Sequence, residues 1–369
     1  MAIRVVHIGT GNVGRLALTQ LITDPRFELA GVWVSTEAKV GKDAAELAGL
    51  DVSTGVIATN DLEALLASRP DCAVYCAMGD NRAPEALEDC RRILAAGINV
   101  VGSSPGVLQF PWQLMPGKYI ARVQDAAQQG NSSIFITGVD PGFANDLIPF
   151  ALAGTCQSIQ QVRCMEIADY ATYDGAIVMF DVMGFGKPFD DIPILLQPGV
   201  LSIAWGTSIR QLAAGLGIDI DDITESYERE PAPEAFDIAA GHVAKGSVAA
   251  IRFQICGMVD GHPAIVIEHV TRLREDMRPD WPQPAQPGGS YRVEITGEPS
   301  YTVDICPSSR KGDHNHAAIV AAAGRIVNAI PAVVAAPPGI RTTLDLPLVT
   351  GHGVYASAGT RSSTAERLR

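Results

Sequence analysis
The sequence predicts an α/β fold: a doubly wound parallel sheet, followed by a second α+β domain built on an open mixed sheet. Three observations predict it. The apolar run Ile3–Ile8 leads straight into a glycine-spaced turn and then a helical pattern. Strand and helix patterns keep alternating to about residue 150, as parallel strands joined by crossover helices do. Past about residue 155 the strands come in pairs, with Asp260-Gly261 and Gly297-Glu298 between alternating runs, which reads as hairpins.

The elements follow in order. Ile3, Val5, Val6 and Ile8 form a buried strand, and Gly9-Thr10-Gly11-Asn12-Val13-Gly14 (GTGNVG) follows it. In a Rossmann βα turn of this spacing, the first glycine lets the chain turn sharply. The second leaves bare backbone for a pyrophosphate, and the third lets the helix approach the sheet. Val13, Leu16, Ala17, Leu21 and Ile22 then recur at helical spacing. The helix amino-terminus adds unpaired N–H groups and a positive dipole end, so the turn is expected to bind a dinucleotide. Phe27–Val34 is the second strand. It ends at Ser35-Thr36 without the Asp or Glu that would accept ribose hydroxyls. Two hydroxyls with Lys39 nearby suit a 2′-phosphate, which a carboxylate would repel. NADP(H) is therefore expected over NAD(H), with Glu37 the close residue that argues the other way.

Val56–Ala58 is expected as a short strand, Asp61–Ala67 as a helix, Cys72–Ala77 as a buried strand and Pro84–Ala96 as a helix ending at Gly97. Asn99–Val101, Lys118–Gln129 and Ile134–Val139 continue as strand, helix and strand. Ligands bind at the carboxyl ends of such strands. That rule points to Ala77-Met78-Gly79 with Asp80-Asn81, to Ser103-Ser104-Pro105 and to Asp140-Pro141-Gly142. In the second domain Val162–Ala168 is a strand, Asp191–Leu216 is mostly helix, and Val248–Cys256 with Ala264–Leu273 forms a hairpin. Tyr291–Thr296 with Ser300–Cys306 forms another. Arg278–Gly289 carries four prolines and Trp281, so it is a long loop. Asn315–Ile330 is a helix ended by Pro331, Thr342–Val349 is extended, and the tail is small, polar and disordered. The domains are expected at 1–150, 151–312 and 313–356, the last returning to the first domain, with a disordered tail at 357–369.

Composition narrows the function. The 28 basic and 41 acidic residues give a net charge of −13, and no run of Lys or Arg exists, so nucleic acid and anionic membrane are poor partners. Apolar residues make up 47% and charged residues 19%, as in a globular protein. No uninterrupted apolar stretch approaches the ~20 residues that span a bilayer. Met1 leads into the first strand after one residue, leaving no room for a signal or transit segment. The 7 cysteines show no CxxC pair, which suits a reducing cytoplasm.

Several longer strings run in order through the chain: VHIGTGNVG, TGVDPGFANDLIPF, VMFDVMGFG, EHVTRL, VNAIPAVVAAPPGI and DLPLVTG. Together they resemble the dihydrodipicolinate-reductase-like group that includes 2,4-diaminopentanoate dehydrogenase and the native amine dehydrogenases. The resemblance implies reduction of an imine, made from a ketone or aldehyde and ammonia, by NAD(P)H, or the reverse deamination. It implies cofactor contact at Gly9, Thr10, Gly11, Asn12, Val13, Gly14 and Ser35. It also implies a nicotinamide beside Asp140-Pro141-Gly142-Phe143, in a cleft between domains. One departure stands out. Where amine dehydrogenases carry a Glu pair that helps activate ammonia, this chain has Gly106 and Val107. Either another acid substitutes, or the enzyme reduces a carbonyl or C=N bond without free ammonia. Ser103-Ser104-Pro105 likewise replaces the Glu-Lys-Pro of related sugar dehydrogenases, and His242-Val243-Ala244-Lys245 has one His where dihydrodipicolinate reductases have two.

Hydride transfer leaves an atom that needs a proton. Glu166–Asp181 (EIADYATYDGAIVMFD) leaves the first strand of the second domain, and within it Tyr173 is expected as donor with Asp169 orienting it. Tyr170 is a neighbour suited to the same role. Asp140 is a further candidate, equally suited to bracing its turn, and Asp146 fits the first turn of a helix. His269 reads as a hydrogen-bonded core residue. Asp313, His314 and His316 lack a fourth ligand at metal spacing, and the Asp reads as a helix cap, so no metal is expected. The sequence thus predicts a cytoplasmic, homodimeric NADP(H)-dependent oxidoreductase that pairs through its second-domain sheet. Its substrate is a small, largely uncharged amine, ketone or aldehyde. A ketone or alcohol dehydrogenase, or a non-catalytic NADPH-binding protein, are the alternatives.

Overall fold
Strand β1 (Ile3–Ile8) is buried at every position from Val5 onward, because a parallel strand is covered on both faces. Around it the chain builds the first of two units, Met1–Gly138 with Ile319–Arg369; the second is Val139–Ala318. The computed structural model describes residues 2–79 and 82–355. Asp80, Asn81 and the expected disordered tail therefore lie outside the described residues.

In the first unit, β1 is followed by α1 (Asn12–Thr23), β2 (Phe27–Trp33), the short helices α2 (Ala44–Ala48) and α3 (Leu62–Ala67), and β3 (Cys72–Tyr75). Helix α4 (Ala83–Ala95), β4 (Asn99–Gly102), α5 (Gly117–Gly130) and β5 (Ser133–Ile136) complete the alternation. All pairings in this sheet are parallel, and β1 lies between β2 and β3. Strand alternation divides the two apolar layers. Val6, Ile8, Ala73 and Tyr75 pack with Ile93 and Val123 of α4 and α5. Val5, Val74 and Phe135 pack with Leu21 of α1 and with Ile326 and Ile330 near the carboxyl terminus.

In the second unit, α6 (Leu147–Ala153), β6 (Ser158–Asp169), α7 (Val200–Leu216), β7 (Asp222–Pro231), β8 (Phe236–Ile238) and β9 (Gly241–Val243) come first. Strands β10 (Val248–Val259), β11 (His262–Arg272), β12 (Gly289–Glu298) and β13 (Tyr301–Ile305) follow. The main sheet runs β13-β12-β6-β11-β10-β7; β6 and β11 are parallel and every other pair in it is antiparallel. Leu201, Ile209 and Leu212 of α7 join Phe253, Ile255 and Ile267 in this unit's core. Helix α8 (His314–Val334) crosses the boundary between units, and β14 (Gly339–Arg341) adds the last parallel strand beside β5.

The structure corrects several expected elements. Val56–Ala58 makes only isolated bridges, because the Asp43 carboxylate gathers Ser53, Thr54 and Gly55 into a turn. Asp191–Leu216 becomes helical only at Val200, since Pro193, Pro198 and Gly199 hold the stretch before it to one short 3-10 turn. Helix α8 runs through Pro331 to Val334; the missing N–H falls near the last turn, where buried Ile330 and Val333 fasten the helix to the core. The segment Thr342–Val349, expected to be extended, begins with a turn at Thr342–Asp345 closed by the Asp345 carboxylate, and the strand β14 lies just before it. Strands β7 to β9 were not expected; β7 is an edge strand with charged residues along it, which hides the apolar alternation. The Asp140-Pro141-Gly142 turn lies in the second unit, which begins at Val139. Among the described residues α8 is long and apolar enough to cross a membrane, yet half of it is buried in the protein.

Glu268 anchors the sheet's other face. Its carboxylate is fully buried on β11, where it accepts from Arg163, from Arg252 at 2.8 Å and from Gln254 at 3.0 Å. Arg272 performs a related task, donating to the carbonyls of Met277, Arg278 and Pro282 and so shaping the proline-rich loop. Removing one member of a buried charge group leaves the others uncompensated. Glu268→Ala should therefore lower unfolding stability by roughly 3 kcal/mol, measured by urea denaturation.

Candidate active site
Two constellations stand out, one in each unit. In the first unit the three glycines of the turn have different physical reasons. Gly9 has φ of 92°, and a Cβ there would lie 2.5 Å from the Ala77 nitrogen. A Cβ on Gly14 would strike the Gly9 carbonyl oxygen. Protein packing thus demands the first and the third. Nothing lies within 4 Å of a Cβ built on Gly11, so its bareness serves something other than the protein's own packing. Gly11 is the N-cap of α1 and carries no side-chain cap, which leaves first-turn N–H groups for an anion. His7 braces the turn through Nε2, 2.8 Å from the Gly9 carbonyl; burial pushes its pKa down to about 4 and keeps the ring neutral.

The Lys39 ammonium donates to the Thr10 carbonyl at 3.1 Å and to its hydroxyl at 3.0 Å, which holds a cation against the turn. Ser35 and Thr36 are exposed at the end of β2, and Glu37 accepts from Asn60 at 3.3 Å. Ala77 is buried, Met78 exposed, and a Cβ on Gly79 would strike the Ser104 hydroxyl. The Ser103 N–H donates to the Tyr75 carbonyl at 3.1 Å. This cradle fits a nicotinamide dinucleotide: bare backbone at Gly11 and a helix amino-terminus without a side-chain cap.

In the second unit the chain turns at Asp140-Pro141-Gly142-Phe143, and the Gly142 N–H donates to Asn145 at 2.8 Å. Asp140 Oδ1 accepts from Asn145 at 2.6 Å and from the Trp205 indole at 3.1 Å. Its other oxygen lies 3.3 Å from His269 Nε2, while His269 Nδ1 lies 3.5 Å from Glu166. Tyr170 donates its hydroxyl to Glu166 at 2.6 Å. Strand pairing makes this cluster, because His269 on β11 is directly opposite Glu166 on β6. Phe253 stacks on the imidazole at 4.8 Å and Trp205 lies 4.5 Å away. Burial raises the pKa of Glu166 and Asp140 raises it further, against the opposing pull of His269. Burial pulls the His269 imidazole down, but the Asp140 and Glu166 carboxylates outweigh it and leave its pKa above the ordinary value.

The structure brings Asp140 into this cluster but places Asp169 elsewhere. Strand β6 continues through Asp169, and alternation puts it on the opposite face from Glu166. There it accepts from the Ala171 N–H at 2.8 Å and lines a cavity of about 330 Å³ with Arg272 and Glu275. Tyr173 stacks on Tyr170 with ring centroids 5.7 Å apart, but the hydroxyl bonded to the buried carboxylate is Tyr170's. Asp146 caps α6 through the Leu147 N–H, and Asp313 accepts from the Asn315 and His316 N–H groups at the start of α8. Glu166, His269 and Trp205 were not identified from the sequence as members of one site. Residues that meet across strands about a hundred positions apart leave no spacing to read. Asp140, Glu166 and His269 offer ligand atoms all within 4.8 Å of one another, a donor set that a metal would also accept by type.

The 2,4-diaminopentanoate dehydrogenase C-terminal domain family matches residues 143–358. The chain is 41% identical over 349 residues to an amine dehydrogenase of Streptomyces virginiae, covering 94% of this chain and 96% of that one. The chain belongs to this amine dehydrogenase family. A 2,4-diaminopentanoate dehydrogenase of Acetoanaerobium sticklandii is a more distant member, 24% identical over 279 residues, 73% of this chain and 72% of that one. An amine dehydrogenase structure from Mycobacterium smegmatis shares the fold with a TM-score of 0.78 at 21% identity, covering 96% of this chain and 99% of that chain. As a member of the family the chain is an oxidoreductase with a Rossmann-type unit, and it uses a nicotinamide cofactor. The family match begins at Phe143 and includes Glu166, Tyr170, Trp205 and His269.

Three outcomes follow from this geometry. Gly11→Ala should leave thermal stability unchanged and weaken coenzyme binding about tenfold or more, ~1.4 kcal/mol, by calorimetry. Gly14→Ala should instead cost roughly 1–3 kcal/mol of stability, because its methyl meets backbone. Glu166 and His269 both have raised pKa values, so the native state binds more protons than the unfolded chain. Their contribution is full below the unfolded values and is lost as pH rises through the folded ones. Urea titrations from acid to alkaline pH should show stability declining less steeply in Glu166→Gln than in wild type.

Proposed function
We propose that the chain interconverts an amine and its carbonyl compound through an imine, with NADP(H) preferred over NAD(H). The observation that carries this reading is the 41% identity to an amine dehydrogenase across nearly all of both chains. Gly9, Thr10, Gly11, Asn12, Val13 and Gly14 would hold the diphosphate against backbone and the α1 dipole. Ser35, Thr36 and Lys39 would take the 2′-phosphate, supported by the absence of a carboxylate at the end of β2 and by the Lys39 contacts to Thr10. Ala77, Met78, Gly79 and Ser103, with Gly142 and Phe143, would border the rest of the coenzyme. When bound, the nicotinamide supplies or accepts the hydride.

The second unit would hold the substrate and move the proton. Asp140 and the stacked tyrosines Tyr170 and Tyr173 are the groups proposed to face it, with Asp169 at the foot of that turn. The substrate is a small, largely uncharged amine, ketone or aldehyde, and the enzyme is a homodimer joined through the sheet of the second unit. All seven cysteines are free thiols, in keeping with a reducing compartment such as the cytoplasm.

NADPH oxidation with a panel of ketones and aldehydes, with and without ammonium, tests the reading. Consumption that requires ammonium supports amine chemistry, whereas ketone reduction indifferent to ammonium makes the enzyme a carbonyl reductase. Lys39→Ala should raise KM for NADPH about tenfold, the worth of one charge-assisted hydrogen bond, and change KM for NADH by less than about twofold. Equal effects on both coenzymes would remove the preference.

A further inference from the structure
We propose that Tyr170, Glu166, His269 and Asp140 form a buried proton chain that hands a proton to the substrate through the Tyr170 hydroxyl. The inference deepens the amine–carbonyl reading and rests on it. Its basis is the way each group divides its polar atoms. Asp140 Oδ1 is taken by Asn145 and Trp205, which leaves Oδ2 facing His269 Nε2 at 3.3 Å. The two imidazole nitrogens face different carboxylates, and Glu166 uses its second oxygen to accept from Tyr170 at 2.6 Å. The groups are therefore connected in series. The Asp140 end is closed by its donors, while the other end is Tyr170, a partly exposed residue whose ring stacks on Tyr173 and whose hydroxyl keeps its proton because burial and Glu166 push its pKa up.

A second observation points the same way. His269 is 4% exposed, and its Nε2 has no well-directed hydrogen bond although a carboxylate oxygen lies close to it. An ionisable ring held in this way is poised to change partners. Two carboxylates and one imidazole become neutral when two protons are shared among them, which is the state an apolar setting favours. A metal fits the geometry less well. A single imidazole nitrogen would have to meet both carboxylates, yet each carboxylate faces its own nitrogen.

In the reductive direction, ammonia adds to the carbonyl carbon and the resulting carbinolamine must lose water. The Tyr170 proton passes to the departing hydroxyl, the C–O bond breaks, and the nitrogen lone pair forms the C=N bond. Glu166 returns a proton to the Tyr170 oxygen and receives one from His269. The proton that the nitrogen sheds after its attack goes to the former carbonyl oxygen and completes the carbinolamine, so the chain ends one proton short. It is refilled by the proton that ammonium from solvent gives up on becoming ammonia, and charge and atoms balance. In the oxidative direction each transfer runs backwards. The titratable groups that act on the chain are Tyr291 on β12, Cys164 on β6 and, from the sheet's opposite face, Glu268 on β11. All of these are acidic groups, so in their charged forms they favour protons held within the chain.

The test compares wild type with Glu166→Gln, Tyr170→Phe and Tyr173→Phe, following kcat against pH, NADPH affinity by fluorescence titration, and bound metal. Glu166→Gln and Tyr170→Phe should each lower kcat about 100-fold or more while NADPH affinity stays within about threefold. Glu166→Gln should also remove the alkaline limb of the wild-type profile, which loss of packing alone would not do. Retained rate and profile in either variant overturns the chain. So does retention in Tyr170→Phe with loss in Tyr173→Phe, as does activity that depends on added zinc or is abolished by a chelator. Infrared difference spectra of wild type against Glu166→Gln give a readout independent of turnover. A protonated carboxyl stretch at about pH 7 in wild type supports the chain, and its absence overturns it. A wild type that turns over no amine or ketone refutes the amine–carbonyl reading, and the infrared result still decides whether the proton store exists.

Discussion
A histidine placed deep in a β-sheet with a carboxylate at each ring nitrogen imposes demands on everything around it. Taking such groups out of water is costly, and they persist only where donors, acceptors and shared protons compensate. Here Asn145 and Trp205 satisfy one carboxylate, Tyr170 the other, and Phe253 covers the ring. The supporting residues come from the Asp140 turn, β6, α7, β10 and β11. Much of the second unit's arrangement can be understood as the framework that keeps these few polar atoms in place. The parallel register of β6 against β11 is what sets Glu166 beside His269, and a slip of one residue would turn one of them to the other face.

The coenzyme cradle obeys a simpler constraint. Gly14 lies against the Gly9 carbonyl and Gly9 against the Ala77 backbone, so neither tolerates a methyl group, and the first of these approaches lets α1 sit close on the sheet. Gly11 is left bare without any such pressure, next to a helix amino-terminus with no side-chain cap. Lys39, reaching back from the segment after β2, adds a positive charge beside Thr10. Backbone, dipole and cation converge on the same few atoms, and for that reason a short motif can announce a coenzyme.

Legibility differed between the two constellations for physical reasons. The cradle is local: strand, turn and helix are adjacent in the chain, so glycine spacing and apolar periodicity identify them together. The acid–base cluster is not local. Tyr170 was within view as a neighbour of Tyr173, and Asp140 as part of a turn. Glu166 and His269, however, are joined only by strand pairing. Asp169 shows the limit of spacing arguments: four residues from Tyr173 suggests a shared face on a helix, but β6 persists to Asp169 and alternation sends it to the other side. Likewise Pro331 looked like a helix end, yet burial of Ile330 and Val333 outweighs one lost hydrogen bond near a terminus.

By itself the sequence determined the parallel first sheet, the hairpin turn at Asp260-Gly261 and the dinucleotide turn, because each depends on interactions between near neighbours in the chain. Tertiary structure alone decided that the first sheet closes with β14 and that the proline-rich loop is held by Arg272. It likewise decided which of several acids, tyrosines and histidines meet. Such meetings depend on strand register and on the energetic cost of leaving buried charge unpaired, and neither is written in the spacing of residues along the chain.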